Sequence, residues 1–341
     1  MDNSPLLKWI KTLTLLTTMF AMCVVLMGAY TRLKDAGLGC PDWPGCYGFL
    51  AVPKHAEDVA TANAAYPERP LETDKAWPEM IHRYLASGLG LLILLIAGLS
   101  IANRKDKKQP LKLPLFLVAL VIFQGLLGMW TVTLMLQPLV VMGHLLGGFT
   151  TVCLLALLYL RLPRRFNYHN NAALRGLIPW ALLSLLVVFV QISLGGWTSA
   201  NYAATACTQM PVCEGDWMAK LNWAEAFKFW GHGAESYQYG ILDYSARMTI
   251  HVAHRFGALV STLLLLWLIL RLWMLDKDGF YKKFSGLLLI VLATQISLGI
   301  SNILFQLPLP IAVAHNGVAV LLLMVLVALN FSLRIKPEQY L

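Results

Sequence analysis

Charged side chains are scarce in this chain of 341 residues. They make up 13% of the sequence, whereas hydrophobic residues make up 58% and the mean hydropathy is +0.62. A soluble domain carries about 25% charge, so the shortage excludes an ordinary soluble protein and indicates an integral membrane protein. No small-residue cleavage site follows the first apolar run, which is longer than the roughly 7–15 residues of a signal-peptide core, so we do not expect a cleaved leader.

Long apolar runs are abundant in the sequence. A membrane-spanning helix needs roughly 20 apolar residues, and eight runs reach about that length. They cover 11–32, 80–102, 113–133, 138–161, 174–197, 249–272, 284–304 and 309–333. The sequence therefore predicts an all-α integral membrane fold with eight transmembrane helices.

The basic residues cluster in alternate connections between these runs. Lys and Arg dominate 103–113, 161–175 and 271–283, and 161–175 contains no acid. The long connection 33–79 instead has eight acids and four bases, and 198–247 has five acids and three bases. The positive-inside rule then places both termini in the cytoplasm and both long loops on the periplasmic side of a bacterial inner membrane. The net charge of +9 thus reflects topology, and no nucleic-acid partner is expected.

Cysteine is sparse, and four of the six cysteines lie in the two long loops. Cys40 and Cys46 form one pair, and Cys207 and Cys213 form the other, each with five intervening residues. Thiols outside the bacterial membrane tend to oxidise, so two disulfides are the first expectation. Metal binding by these cysteines stays open as the alternative, although no outer histidine has the spacing of a zinc motif.

The two halves of the sequence resemble each other. IHRYLASGLGLL is similar to AHRFGALVSTLL, and QGLLGMWT is similar to QISLGISN. Four helices per half return the chain to the side on which it began, so a pseudo-twofold axis along the membrane normal is predicted to relate the halves. The predicted units are two tandem four-helix bundles, 1–162 and 163–341, each with its long outer loop after the first helix.

A histidine recurs on the second and fourth helices of each predicted bundle. These residues are His82 and His144 in the first half, and His254 and His315 in the second. Ionisable residues within a bilayer are costly and usually functional, and facing imidazoles on a helical bundle can ligate a haem iron. We therefore predict two haem sites near the outer face. The alternative is a set of hydrogen-bonded core histidines, and zinc would want more ligands than each half offers.

Arginines and glycines accompany these histidines. Arg83 and Arg255 each follow a histidine, and Arg32 lies at the outer end of the first helix. Guanidinium groups pair bidentately with carboxylates, so contacts with haem propionates are predicted, and snorkelling towards the interface is the alternative. The glycines near the first two histidines fit either a flat guest molecule or close helix packing. They are Gly88, Gly90, Gly143, Gly147 and Gly148.

The two halves differ three residues before the second-helix histidine. The first half has Glu79 there, and the second half has His251. Residues at i and i+3 share a helix face, so Glu79 is predicted to point towards the same space as His82, where it can transfer protons or stabilise positive charge. An acid in the first turn of a helix is the alternative. His251 is expected to make a local hydrogen bond. Chemistry is therefore assigned to the first half and a permanent haem to the second.

These motifs together resemble the haem A synthase family, also known as Cox15/CtaA. The resemblance is carried by GAYTRLKDAGLGCPDWPGCYG, EMIHRYLASGLG, GHLLGG, HVAHRFGAL and AVAHNGVAVLLL, and it extends over about residues 20–333. It implies oxidation of the C8 methyl of haem O to the formyl group of haem A, by successive hydroxylation and dehydration. The product serves haem–copper terminal oxidases.

The resemblance also implies roles for single residues. His82 and His144 would bracket haem O as substrate and haem A as product. His254 and His315 would ligate a haem b, and Glu79 would be the essential glutamate of the family. Cys40 and Cys46 match a first-loop pair of the family that can be disulfide-linked and is linked to activity in some members. The second pair, Cys207 and Cys213, is not universal in the family.

The implied partners are haem O, the enzyme that forms haem O, cytochrome oxidase assembly factors and membrane lipid. A homo-oligomer stays open. Two other functions would use the same four histidines: a dihaem b-type cytochrome for quinol-linked electron transfer, and a haem transporter or chaperone without turnover. The dihaem cytochrome would not require Glu79 or the difference between the halves.

Overall fold

The computed structural model describes residues 5–162 and 172–335. In these ranges the regular structure is helical and contains no β-strand. The α-helices are α1 (Pro5–Leu33), α2 (Ala56–Ala65), α3 (Thr73–Ala102), α4 (Lys112–Thr133), α5 (Pro138–Arg161), α6 (Ala172–Arg175), α7 (Ile178–Ala200), α8 (Trp223–Ala226), α9 (Tyr244–Leu275), α10 (Phe280–Leu304) and α11 (Leu309–Arg334). Except for the short α2, α6 and α8, they are long and apolar enough to span a membrane. The predicted all-α class with eight spans is confirmed, and the predicted boundary between the halves falls next to 163–171, outside the described residues.

Several helices begin earlier than their apolar runs, and two of these helices carry predicted site residues. Helix α3 begins at Thr73, seven residues before its run, and α9 begins at Tyr244, five residues before its run. Hydropathy marks the part of a helix that fits the hydrocarbon core, whereas the backbone hydrogen bonds continue beyond it into the outer loop. Glu79 and His251 therefore lie well inside helices.

The helices that run towards the long-loop end of the bundle finish in one recurring turn. After α1, α4, α7 and α10, the third N–H beyond the helix bonds to a carbonyl five residues earlier, as in a Schellman motif. The bonds join Ala36 to Thr31, Leu136 to Thr131, Ala203 to Thr198 and Leu307 to Asn302 at 2.7–3.0 Å. Asp35, Met135, Tyr202 and Gln306 have left-handed backbone in these turns, and in two of the turns the next residue, Leu136 or Leu307, has it as well. Because no glycine marks these turns, their similarity is hard to recognise in the sequence.

Four helices form the centre of the bundle. Helix α1 packs on α3, α5 and α11, and α7 packs on α9, α11 and α5. Helices α5 and α11 also contact each other, while α4 packs on α3 and α5, and α10 packs on α9 and α11. A continuous apolar core with fully buried residues such as Leu117, Leu158, Leu265 and Leu326 joins these helices. Each helix with a predicted ligand therefore has neighbours that limit where its histidine side chain can lie.

Each long loop is fixed to the helix that follows it. The first loop surrounds the Cys40–Cys46 disulfide with a small apolar core that includes Met80 of α3. The second loop has a core that includes Ile250 of α9 and Trp197, whose indole donates a hydrogen bond to the Ala226 carbonyl at 2.8 Å. The loops therefore cover the ends of α3 and α9 that carry the predicted ligands.

Candidate functional site

The first predicted ligand pair is brought together by α3 and α5. The ring centroids of His82 and His144 are 6.3 Å apart, and the ring planes meet at 83°. Two imidazoles on opposite sides of one metal ion, with metal–nitrogen distances of about 2.0–2.1 Å, have ring centroids roughly 6–6.5 Å apart. Nδ1 of each ring is buried without a hydrogen-bond partner. The spacing therefore fits two axial ligands of a single haem iron.

Each of the four predicted ligands faces a glycine on a neighbouring helix. A β-carbon at Gly28 would lie 2.9 Å from the His82 ring, and a β-carbon at Gly195 would lie 3.0 Å from the His254 ring. The corresponding distances are 3.5 Å for Gly128 with His144 and 3.2 Å for Gly299 with His315. Glycine at these positions thus leaves the room that the imidazoles occupy.

These four glycines were missed by the sequence reasoning, although a signal for them exists. Three of them end a Q-x-x-x-G pattern, in QGLLGMWT, QISLGGWT and QISLGISN. The glycines that the sequence reasoning considered instead lie at other helix contacts. A β-carbon at Gly88 would lie 3.7 Å from the Phe20 ring, and a β-carbon at Gly147 would meet the Gln124 side chain. These contacts fit close helix packing, and a contact with haem stays a prediction.

Glutamine side chains contact both predicted ligands of the second half. Nε2 of Gln191 lies 3.0 Å from Nδ1 of His254 and also donates to the His254 carbonyl at 3.0 Å. A metal at Nε2 of His254 would require the proton to be on Nδ1, where the Gln191 Oε1, which has no hydrogen-bond partner, could accept it after the amide turns over. Nε2 of Gln295 lies 3.3 Å from Nε2 of His315. A metal bound at that nitrogen would displace the Gln295 amide.

The carboxylate of Glu79 is buried between α3 and the first disulfide loop. Its side chain accepts a hydrogen bond from the Cys40 N–H at 2.9 Å and pairs with Arg83 at 2.5 Å. The loop can approach this closely because Gly39 has no side chain, since a β-carbon there would lie 2.5 Å from the backbone of Lys75. Glu79 is in the seventh position of α3, so the alternative of a first-turn acid does not apply.

The two arginines that follow histidines hold the disulfide loops. Arg83 donates to the Gly45 carbonyl, and Arg255 donates to the carbonyls of Cys207 at 2.8 Å and Gln209 at 2.7 Å. Both side chains therefore point to the long-loop end of their helices, where a haem propionate would compete with loop carbonyls. Their contact with propionates stays a prediction.

Arg32 connects the two halves at the long-loop end. Its guanidinium donates to the Ser199 carbonyl at 2.6 Å and lies 4.1 Å from the centroid of the Tyr202 ring. It also lies 3.6 Å from the Asp35 carboxylate. Its predicted propionate contact likewise stays a prediction.

Both predicted cysteine pairs are joined in the structure. The Cys40–Cys46 and Cys207–Cys213 disulfides have Cα–Cα distances of 4.8 Å and 4.9 Å. Within residues 5–162 and 172–335, no group of three or more His, Cys, Asp and Glu side chains is placed to hold a metal ion.

Each disulfide loop closes around a carboxylate of its own. In the first loop, Asp42 accepts hydrogen bonds from the N–H groups of Tyr47 at 2.6 Å and Gly48 at 2.8 Å. In the second loop, Glu214 accepts hydrogen bonds from the hydroxyl and the N–H of Thr208. The hydrogen bond from the Thr208 hydroxyl is the main cause that lowers the pKa of Glu214 to about 2. Glu214 is therefore ionised at neutral pH and stabilises the loop as an acceptor.

His251 is buried where the first half has Glu79. Its Nδ1 has no hydrogen-bond partner, so the local hydrogen bond expected from the sequence is not found at that nitrogen. The second half thus lacks the fixed carboxylate that the first half holds beside its disulfide loop.

The chain is similar to known proteins along nearly its whole length. A family model described as cytochrome oxidase assembly protein, COX15-CtaA, matches residues 11–327. A haem A synthase of Shewanella oneidensis is 53% identical over 327 residues, which cover 96% of each chain. Haem A synthases of Chelativorans sp. and Agrobacterium fabrum are 28% and 27% identical, and the matches cover 90% and 94% of this chain and 86% and 88% of theirs. The family predicted from the motifs is confirmed.

Proposed function

The chain belongs to the COX15-CtaA family of cytochrome oxidase assembly proteins, and from that membership we propose how its residues perform the reaction. It is an oxidoreductase of bacterial membranes that converts haem O to haem A for terminal oxidase assembly. The change from methyl to formyl at C8 adds one oxygen atom and removes four electrons. The observation that carries the assignment of residues is the 6.3 Å separation of the His82 and His144 rings.

His82 and His144 hold the haem O substrate in the first half. Gly28 and Gly128 support this assignment, because they leave space for the two rings. The bound haem O would supply the C8 methyl group that is oxidised, and the two imidazoles would hold its iron. The imidazoles orient the porphyrin plane and hold its edge in one position relative to α3 and the first loop.

Glu79 is the catalytic carboxylate of this pocket. Its ion pair with Arg83 and the hydrogen bond from the Cys40 N–H hold it in one orientation one turn from His82. A carboxylate fixed in this way can accept a proton from the reacting edge of the substrate and return it. His251 occupies the equivalent place in the second half, which supports assigning the chemistry to the first half alone.

His254 and His315 ligate a resident haem b in the second half. The contact of Gln191 with Nδ1 supports this role. With the amide turned so that its oxygen accepts the Nδ1 proton, Gln191 would fix the orientation of the ligating imidazole. Gln295 gives up its contact with Nε2 of His315 when the haem binds. Three arginines bind haem propionates at the outer end of the helices, namely Arg32, Arg83 and Arg255. Each replaces its hydrogen bond to a backbone carbonyl by one to a propionate carboxylate.

The two units 1–162 and 163–341 form tandem bundles related by a pseudo-twofold axis. Three features support this relation. Each helix contact of the first half has a counterpart in the second, such as α1 with α3 and α7 with α9. The same turn ends α1, α4, α7 and α10, and the same glycine–histidine contact occurs four times.

The basic connections face the cytoplasm, together with both termini, and the disulfide loops face the periplasm. The positive-inside rule supports this orientation. Both haem sites then lie towards the outer leaflet. Haem O carries a long apolar tail and partitions into lipid, so the pocket receives it laterally from the haem O-forming enzyme.

The proposed reaction is tested by the haems that the chain produces. The full chain is expressed with a haem O-forming enzyme in a bacterial host that makes no haem A, and acid-extracted haems are separated by chromatography. We expect haem A in cells that contain both proteins, and haem b in the purified chain. The host with the haem O-forming enzyme alone is the control.

The same experiment separates the rival functions. Haem b alone in the purified chain, without haem A in the cells, would favour a dihaem cytochrome. Bound haem O that is never converted would favour a transporter or chaperone. Either result would contradict the proposed reaction.

The first disulfide is expected to matter more for conversion than the second. Replacing Cys40 and Cys46 by Ser releases the loop whose N–H binds Glu79, and a hydrogen bond to a charged group contributes about 1.5–3 kcal/mol. We therefore expect haem A formation to fall at least about tenfold. Replacing Cys207 and Cys213 by Ser alters a loop without that contact and is expected to change the rate less than about twofold. The ratio of haem A to haem O in extracts measures both, and equal losses would contradict the assignment.

A further inference from the structure

We infer that a cavity at the end of the bundle away from the disulfide loops binds an anionic phospholipid. The cavity has a volume of about 720 Å³ and lies between α5 and α11. The connection between α3 and α4 and one residue of α7 complete its wall. This volume is within the range of about 300–1,000 Å³ that is common for ligand pockets.

The charge of the cavity is positive. Lys107, Lys108, Arg161 and Arg334 line it, and no carboxylate is among its described lining residues. Arg161 and Arg334 are the last residues of α5 and α11, and neither forms an ion pair with a described carboxylate. Basic pockets between membrane helices on the cytoplasmic side bind anionic lipid head groups. The site therefore fits a phosphate group at the membrane surface.

The wall below these cations is mostly apolar, with Gln109 and Asn330 as its uncharged polar side chains. Leu154 and Leu157 face the cavity from α5, and Val327 and Phe331 face it from α11. Both pairs follow the i, i+3 or i, i+4 spacing of one helix face. Inorganic phosphate has no apolar surface that could be buried against this wall, whereas the acyl chains of a phospholipid can pack against it. The combination of a charged rim and an apolar wall points to a lipid.

This site is separate from the proposed haem sites. Arg161 lies 17 residues beyond His144 on α5, which corresponds to roughly 25 Å along the helix axis. Arg334 lies 19 residues beyond His315 on α11, or roughly 28 Å. The cavity is also where helices of the two halves meet, so a bound lipid would stabilise the contact between α5 and α11.

The test measures the melting temperature of the full chain, purified with its haem and delipidated in a neutral detergent. Phosphatidylglycerol, phosphatidylcholine and inorganic phosphate are added separately. We expect phosphatidylglycerol to raise Tm by at least about 4 °C, and phosphatidylcholine and inorganic phosphate to raise it by less than about 1 °C. An equal rise with phosphatidylcholine would overturn the requirement for an anionic head group. A full rise with inorganic phosphate would overturn the assignment to a lipid.

Matched variants locate the site. Arg161→Gln with Arg334→Gln is expected to abolish the rise, whereas Arg104→Gln with Lys105→Gln removes the same charge outside the cavity and is expected to keep it. Lys107→Gln with Lys108→Gln changes only an exposed connection, so it folds even if the arginine variant does not, and it is expected to lose at least about half of the rise. Haem absorbance, which we expect to be unchanged, reports that each variant is folded. A full rise in the lysine variant would refute the site.

Discussion

Glu79→Gln is expected to lower haem A formation by at least about 100-fold while the resident haem b is retained. Acid–base catalysis by a positioned side chain contributes about 10²–10⁴-fold, and the amide keeps the size of the carboxylate but cannot take up a proton. The amide oxygen can still accept the hydrogen bond from the Cys40 N–H, so the loop stays in place. The ratio of haem A to haem O and the haem b content, both from chromatography, give the two readouts.

The control for Glu79 is Glu72→Gln. Glu72 precedes the same helix and pairs with Lys75 at 2.7 Å, but it is more than half exposed. Exposed ion pairs contribute only about 0–1 kcal/mol, so this variant is expected to form haem A at the normal rate. Normal conversion by Glu79→Gln would show that the buried carboxylate is not catalytic. Loss of haem b in the same variant would show that its role is structural.

His254→Ala is expected to lose the resident haem b and to keep the binding of haem O in the first half. Loss of an outer-shell partner alone weakens metal binding about 10–100-fold, so removal of a ligand is expected to lower the haem b content at least about tenfold. The absorbance of the purified chain and its pyridine haemochrome measure this content. Added imidazole, which fits the space left by the side chain, is expected to restore part of the spectrum.

His232→Ala is the matched control for this loss. His232 lies in the second long loop, where it is 3.5 Å from the Glu225 carboxylate and makes no contact that the proposed haem site requires. Its removal is expected to leave the haem b content unchanged. If His254→Ala retains haem b, or if imidazole has no effect on a haem-depleted variant, the ligand assignment fails.

The class of fold and the proximity of His82 and His144 could be predicted from the sequence because both depend on local pattern. Apolar runs of the right length predict spans. The runs in α3 and α9 start several residues after the helices begin, because a helix continues where hydropathy falls. His82 and His144 could be paired from the repeat, and their 6.3 Å ring separation agrees with a shared metal. Helix α2 has no apolar stripe and was not predicted.

The contacts of the charged residues could not be predicted in the same way. Arg83 and Arg255 bind carbonyls 38 and 46 residues away in the chain, and the fold of the loops decides these partners. The bond between the Cys40 N–H and Glu79 has the same origin, since it requires Gly39 to approach the backbone of α3. Sequence spacing places Glu79 on the face of His82 but does not reveal what holds it there.

The glycine that faces each imidazole has a wider consequence. Gln124, Gly128 and His144 have the spacing Q-x3-G-x15-H, and Gln295, Gly299 and His315 repeat it residue for residue. The spacing describes a helical hairpin. Its first helix provides a glycine, and its second helix places the imidazole ring against that glycine. We expect a hairpin with this spacing to position a histidine that ligates haem iron. The pattern can therefore be sought in membrane proteins that are otherwise unlike this one.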